Sequence, residues 1–146
     1  MTPMCQALGL AERTVGDFIG RFPRSFPPIV LNLTDGAASD GNPEQNAESL
    51  RRLCTADGDV LLFNLHVSSS AAQPLAFPDR EAPLPDDYAR LLFRMSSALP
   101  APLLAAARRE ELQVSEGSRG FIFNGDPQCI VDFFEIGTRP KLVADR

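Results

Sequence analysis

Apolar side chains recur at helical spacing near the start of the chain, at Met4, Leu8, Ala11, Val15, Phe18 and Ile19. This stripe predicts a helix over residues 4–21, with Pro3 suited to its first turn. Gly9, Gly16 and Gly20 weaken it in isolation, so it depends on packing, and Pro23, Pro27 and Pro28 end it. Residues 29–33 then form a short, mostly apolar run, which predicts a buried parallel strand. Thr34-Asp35-Gly36 closes that strand, and the small, polar residues 37–42 read as a loop.

Asn42, Pro43 and Gln45 have the spacing of a capping box, so a helix is expected to open here with Ala47, Leu50 and Leu53 inward. Asp57-Gly58 is a turn. Residues 60–65 predict a second buried strand, which runs into His66, Val67 and Ser68 to Ser70. Residues 71–85, rich in proline and acidic side chains, read as an excursion. Tyr88, Leu91, Leu92 and Met95 give a helical face, whose start the acidic pair Asp86-Asp87 favours. Pro100 and Pro102 break it, and residues 103–112 suggest a further helix. A third strand is expected over 120–124. A last helix is expected to open at Asp126-Pro127, with Ile130, Val131, Phe133, Phe134 and Ile136 inward and Gly137 as its C-cap.

Strands alternating with helices imply an α/β fold: a Rossmann-like, mainly parallel sheet flanked by helices. Ligands in such sheets bind at the carboxyl ends of the strands. Asp35, His66 with Ser68, and Asn124 all fall at that edge. The strand ending at Asp35 is apolar enough to want neighbours on both sides, yet only three strands are evident. Something that should precede the sequence is expected to be missing. An open apolar edge is also a place for self-association.

Composition narrows the function classes. One domain is expected from 146 residues, and a formal net charge of -5 argues against nucleic acid or an anionic membrane surface as the partner. Cys5, Cys54 and Cys129 have no disulfide or zinc spacing and read as three buried thiols in a reducing compartment. No signal peptide or membrane span is legible, so a cytoplasmic location is expected.

Candidate chemistry centres on Asp35. A carboxylate at a strand end can ligate a hard cation such as Mg²⁺, and Gly36 lets the backbone turn near the ion. The alternative is a turn aspartate bonded to nearby amides. Ser39 and Asp40 either add oxygens beside Asp35 or are solvated. His66, the only histidine, reads as a satisfied strand-end residue. A hydrolase or phosphotransfer enzyme using Asp35 with His66 as acid/base is the alternative. Phe121, Phe123, Phe133 and Phe134 read as core.

Residues 27–36, with Ser39-Asp40-Gly41 after them, resemble the central strand and loop of von Willebrand factor A-type domains. Thr2-Pro3-Met4 is similar to that family's threonine loop, and residues 61–70, 88–97 and 117–124 resemble a bacterial branch. The resemblance implies a metal-ion-dependent adhesion site. Thr2 would bind Mg²⁺ directly and Asp35 would act through water, while a partner protein's acidic side chain completes the shell. The family's Asp-x-Ser-x-Ser loop has no counterpart here. The expectation is therefore a partial domain over residues 1–138, truncated at its N-terminus, with a tail at 139–146. It is a binding module with an impaired metal site and no catalytic residues, or else an inert remnant.

Overall fold

A computed structural model describes residues 1–68, 71–125, 128, 129, 131, 132 and 135. Helix α1 spans Met4–Arg21, at the bounds its apolar stripe predicts. It buries Met4, Leu8 and Val15 and leaves Phe18 and Leu10 exposed, so only part of the stripe finds a partner.

Strand β1 spans Ile29–Thr34 and helix α2 spans Glu44–Arg52. Ala47 and Leu50 point inward as expected. The capping box does not form. The helix has no side-chain cap, and Asn42 Oδ1 instead accepts the backbone N–H of Glu44 at 3.0 Å. Asn42 thus closes a local turn, because Pro43 stands at the cap position itself.

A small hairpin follows, β2 (Cys54–Thr55) and β3 (Gly58–Asp59), whose antiparallel pairing was not legible in the sequence. Strand β4 spans Leu61–His66, and all six of its residues are buried. The excursion hides a short strand, β5 (Leu75–Ala76). Helix α3 spans Asp87–Met95, and Asp86 Oδ1 caps it by accepting the Ala89 N–H at 2.7 Å. Helix α4 spans Ala101–Arg109. Pro102 therefore lies in its first turn, where its missing N–H costs nothing, and the helix starts two residues before the expected 103. Strand β6 spans Phe121–Phe123.

The main sheet has the order β1-β4-β6-β5. β1 pairs parallel with β4, β4 parallel with β6, and β5 antiparallel with β6. The expected sheet is thus present but mixed, since β5 runs against the others. Alternate residues separate its faces. Val60, Leu62, Phe121 and Phe123 pack with α1, α2 and α3, whereas Leu61, Phe63, Leu65 and Ile122 pack with α4.

β1 is an edge strand in this order, not the fully buried strand expected. Its outward residue Leu33 is 65% exposed. The thiol expectation also needs correction: Cys54 is exposed, Cys5 and Cys129 are half-buried, and none of the three is in a disulfide. Of the expected last helix, Gln128, Cys129, Val131, Asp132 and Glu135 are helical, and Val131 is exposed where burial was expected. Its other inward positions, its start at Asp126-Pro127, its cap at Gly137 and the tail at 139–146 lie outside the described residues.

Candidate functional site

The carboxyl ends of β1 and β4 meet at one register pair, Thr34 opposite His66. Thr34 is buried, and its hydroxyl organises the turn that follows. It donates to the Gly36 carbonyl at 2.8 Å and accepts the Gly36 N–H at 3.3 Å. Tyr88, one residue into α3, donates its hydroxyl to the same Gly36 carbonyl in a short hydrogen bond. Threonine and tyrosine together fix Gly36, and this leaves Asp35 exposed at the tip of the turn.

Asp35 acts back on Tyr88. Burial raises the phenol pKa most, and the nearby Asp35 charge raises it further, against the lowering effect of Thr34. Tyr88 was legible only as part of a helical face. Its role at the turn depends on α3 crossing the end of β1, which no local pattern encodes.

Thr2 reaches the same place from the chain start. Its backbone N–H donates to Ser39 Oγ at 3.0 Å, and the Ser39 N–H donates to the Thr2 carbonyl at 2.9 Å. This reciprocal bridge holds the Thr2 hydroxyl beside the turn, where a Cβ added to Gly36 would lie 3.8 Å from Thr2 Oγ1. Thr2, Leu33, Thr34, Asp35 and Val67 line one cavity of about 410 Å³.

Asp40 does something neither sequence reading anticipated. Its carboxylate accepts the backbone N–H groups of Cys5 and Gln6 at 3.0 and 2.9 Å. It thereby caps α1 from a distant loop, and α1 has no side-chain cap of its own. Those amides, Gln6 first, hold the Asp40 pKa below the usual carboxylate range. Ser39 and Asp40 are thus anchors for the α1 start, neither ion-facing oxygens nor merely solvated. The signal is invisible in sequence because the partners lie in separate segments.

His66 is buried, with its ring edge-on to Tyr88 at 5.0 Å and tilted against Phe123 at 5.4 Å. Its Nδ1 lies 3.4 Å from the Thr34 carbonyl. Ser68 belongs to the same edge, where its backbone N–H donates to Asn124 Oδ1 at 2.6 Å. Asn124 holds a left-handed backbone, with φ 48°, and its own N–H donates to the His66 carbonyl. The residues expected at the carboxyl edge are therefore assembled there, but His66 is not among those lining the Asp35 cavity.

A hydroxyl and a carboxylate are hard oxygen donors of the kind Mg²⁺ takes. Thr2 and Asp35 fit such an ion in kind but fall short in number. Among the described residues, no group of three or more His, Cys, Asp or Glu side chains is placed to hold a metal. Most of a shell at this cavity would come from water or from a partner.

The fold defines the chain as an α/β protein with an open, mostly parallel sheet flanked by helices, an arrangement compatible with a Rossmann-like fold. Comparison with protein-family models, with curated proteins and with solved structures finds no match in any of the three. Among the described residues, no helix is long and apolar enough to cross a membrane.

Proposed function

We propose that this chain is a protein-binding module resembling a von Willebrand factor A-type domain, with a partial Mg²⁺ site formed by Thr2 and Asp35. The observation that carries the reading is their convergence. The Thr2 hydroxyl lies beside Gly36, and both Thr2 and Asp35 line one cavity at the carboxyl edge of the sheet. Bound there, the ion would accept an acidic side chain of a partner protein as a further ligand. Two protein oxygens leave the affinity weak, because Mg²⁺ sheds water reluctantly.

Magnesium titration followed by NMR tests this. Amide resonances of Thr2, Asp35 and Gly36 should shift at millimolar Mg²⁺, and Asp35→Asn should abolish the shifts. Their absence at that concentration would sink the metal reading. Micromolar affinity would overturn the claim that the site is partial.

A second reading has its own observation. β1 is an edge strand without a charged residue or proline, and Leu33 is largely exposed on it. Unguarded edges of this kind add further strands, so a second copy of the chain can pair at β1. Light scattering across a concentration series should then show a dimer, and a monomer throughout would exclude it.

A further inference from the structure

At the opposite end of the sheet, two arginines converge on the same two carbonyls, those of Arg94 and Ser96. Arg51, in the last turn of α2, donates Nη1 to the Arg94 carbonyl at 2.9 Å and to the Ser96 carbonyl at 3.2 Å. Arg119, just before β6, donates Nη1 to the carbonyls of Phe93, Arg94 and Ser96, the last also at 3.2 Å. Its guanidinium lies 4.8 Å from the Phe93 ring centroid. The carbonyls end α3, so they carry the partial negative charge of a helix terminus. That accounts for one cation near this point. It does not account for two guanidiniums whose Nη1 atoms share the same two oxygens.

Among the described residues, neither guanidinium has a carboxylate within 4.0 Å. The ion pairs nearby go elsewhere: Glu48 to Arg52, and Glu44 and Glu81 to Arg94. Arg51 and Arg119 line a cavity of about 460 Å³ with Arg52, Glu48, Asp59 and Ser97. The volume is that of a small-ligand site. Each guanidinium has five N–H donors in a planar fork, and the α3 carbonyls engage only Nη1 of each.

We infer that this cavity binds the phosphate group of a small ligand, gripped between the forks of Arg51 and Arg119. One fork satisfies a planar carboxylate, whereas a phosphate has acceptor oxygens enough for two forks at once. The anion would neutralise two like charges that the fold holds together. Burial, and after it the Arg51 charge, push the Arg119 pKa below its ordinary value, with Glu81 opposing. An anion at this position relieves that disfavour. The site lies at the amino end of β4, so it stands or falls independently of the Asp35 cavity.

The test is titration with inorganic phosphate at constant ionic strength, read on the arginine side-chain N–H resonances. Saturable shifts of Arg51 and Arg119 at millimolar phosphate are expected, together with a raised thermal midpoint. Arg51→Gln should weaken binding roughly tenfold, and Arg51→Lys, which keeps the charge but not the fork, should restore little of it. Circular dichroism of both variants checks that the fold is intact. Absence of a saturable shift in the unmodified chain overturns the proposal. So does an equal response to acetate, which would mark a general anion patch, and so does phosphate binding that Arg51→Gln leaves unchanged.

Discussion

Asn32 and Asn64 stand opposite each other in register on β1 and β4, and the Asn32 amide donates to Asn64 Oδ1 at 2.9 Å. Asn64 is fully buried and passes the chain on, donating from Nδ2 to Ser96 Oγ at 2.8 Å. Ser96 Oγ in turn donates to the Leu92 carbonyl at 2.7 Å. A polar ladder thus ties the edge strand to the central strand and to α3, within an otherwise apolar layer.

Removing its centre leaves partners buried and unsatisfied. Asn64→Leu is expected to cost about 1–3 kcal/mol, the range for stranded polar groups. Urea unfolding measures it. A double-mutant cycle with Asn32→Ala should show a coupling of roughly 0.5 kcal/mol or more, as for residues in one network.

Gly120 is the most tightly enclosed of the described glycines. A Cβ there would lie 2.1 Å from Phe63 Cδ1, and Phe63 is fully buried in the centre of the sheet. Gly120→Ala is therefore expected to destabilise by about 3 kcal/mol or more, beyond usual overpacking. Combining it with Phe63→Leu should recover part of the loss in thermal unfolding. Additive losses would mean that the clash is relieved by another route.

Asp40 ties stability to acid. Its folded pKa is lowered, first by the Gln6 N–H, so its stabilisation is present above the unfolded pKa of about 3.9 and lost as pH falls through the lowered folded value. Asp79, lowered chiefly by Ser115, adds to the same loss. Comparing denaturant midpoints with pH should therefore show a shallower acid loss in Asp40→Asn than in the unmodified chain. Equal slopes would mean that Asp40 is not coupled to folding.

Tyr88 is the only tyrosine and the chain has no tryptophan, so ultraviolet titration reads this phenol alone. Its midpoint should lie above the ordinary value of about 10, because burial and then Asp35 oppose its ionisation. Asp35→Asn should move the midpoint down. The stability tied to a raised folded pKa is full below the unfolded value and is lost as pH rises through the folded one. Unfolding at alkaline pH should follow that course.

Several features were legible because they are local. Helix α1 matches its expected bounds because the apolar stripe and the prolines after it act within a few turns. Strand β4 was legible as a mostly apolar run, and the acidic pair Asp86-Asp87 as a helix start, for the same reason. Asp35 and Thr2 were singled out from short motifs, and the structure places them at one cavity. By contrast, β5 is two residues long and forms only because β6 offers it a ladder, so it left no periodic trace. Asn42 matched a capping signature, but Pro43 took the cap position.

By itself, then, the sequence determined an α/β chain of helices and strands in order, and the polar turn that closes the strand at residues 29–33. Only the tertiary structure decided that β1 lies at an edge, that Asp40 caps α1, that Tyr88 grips the Gly36 carbonyl and that Arg51 and Arg119 meet at Ser96. The reason is range. Periodicity and turn chemistry act between near neighbours, whereas these contacts join distant segments and exist only once the sheet has set their positions.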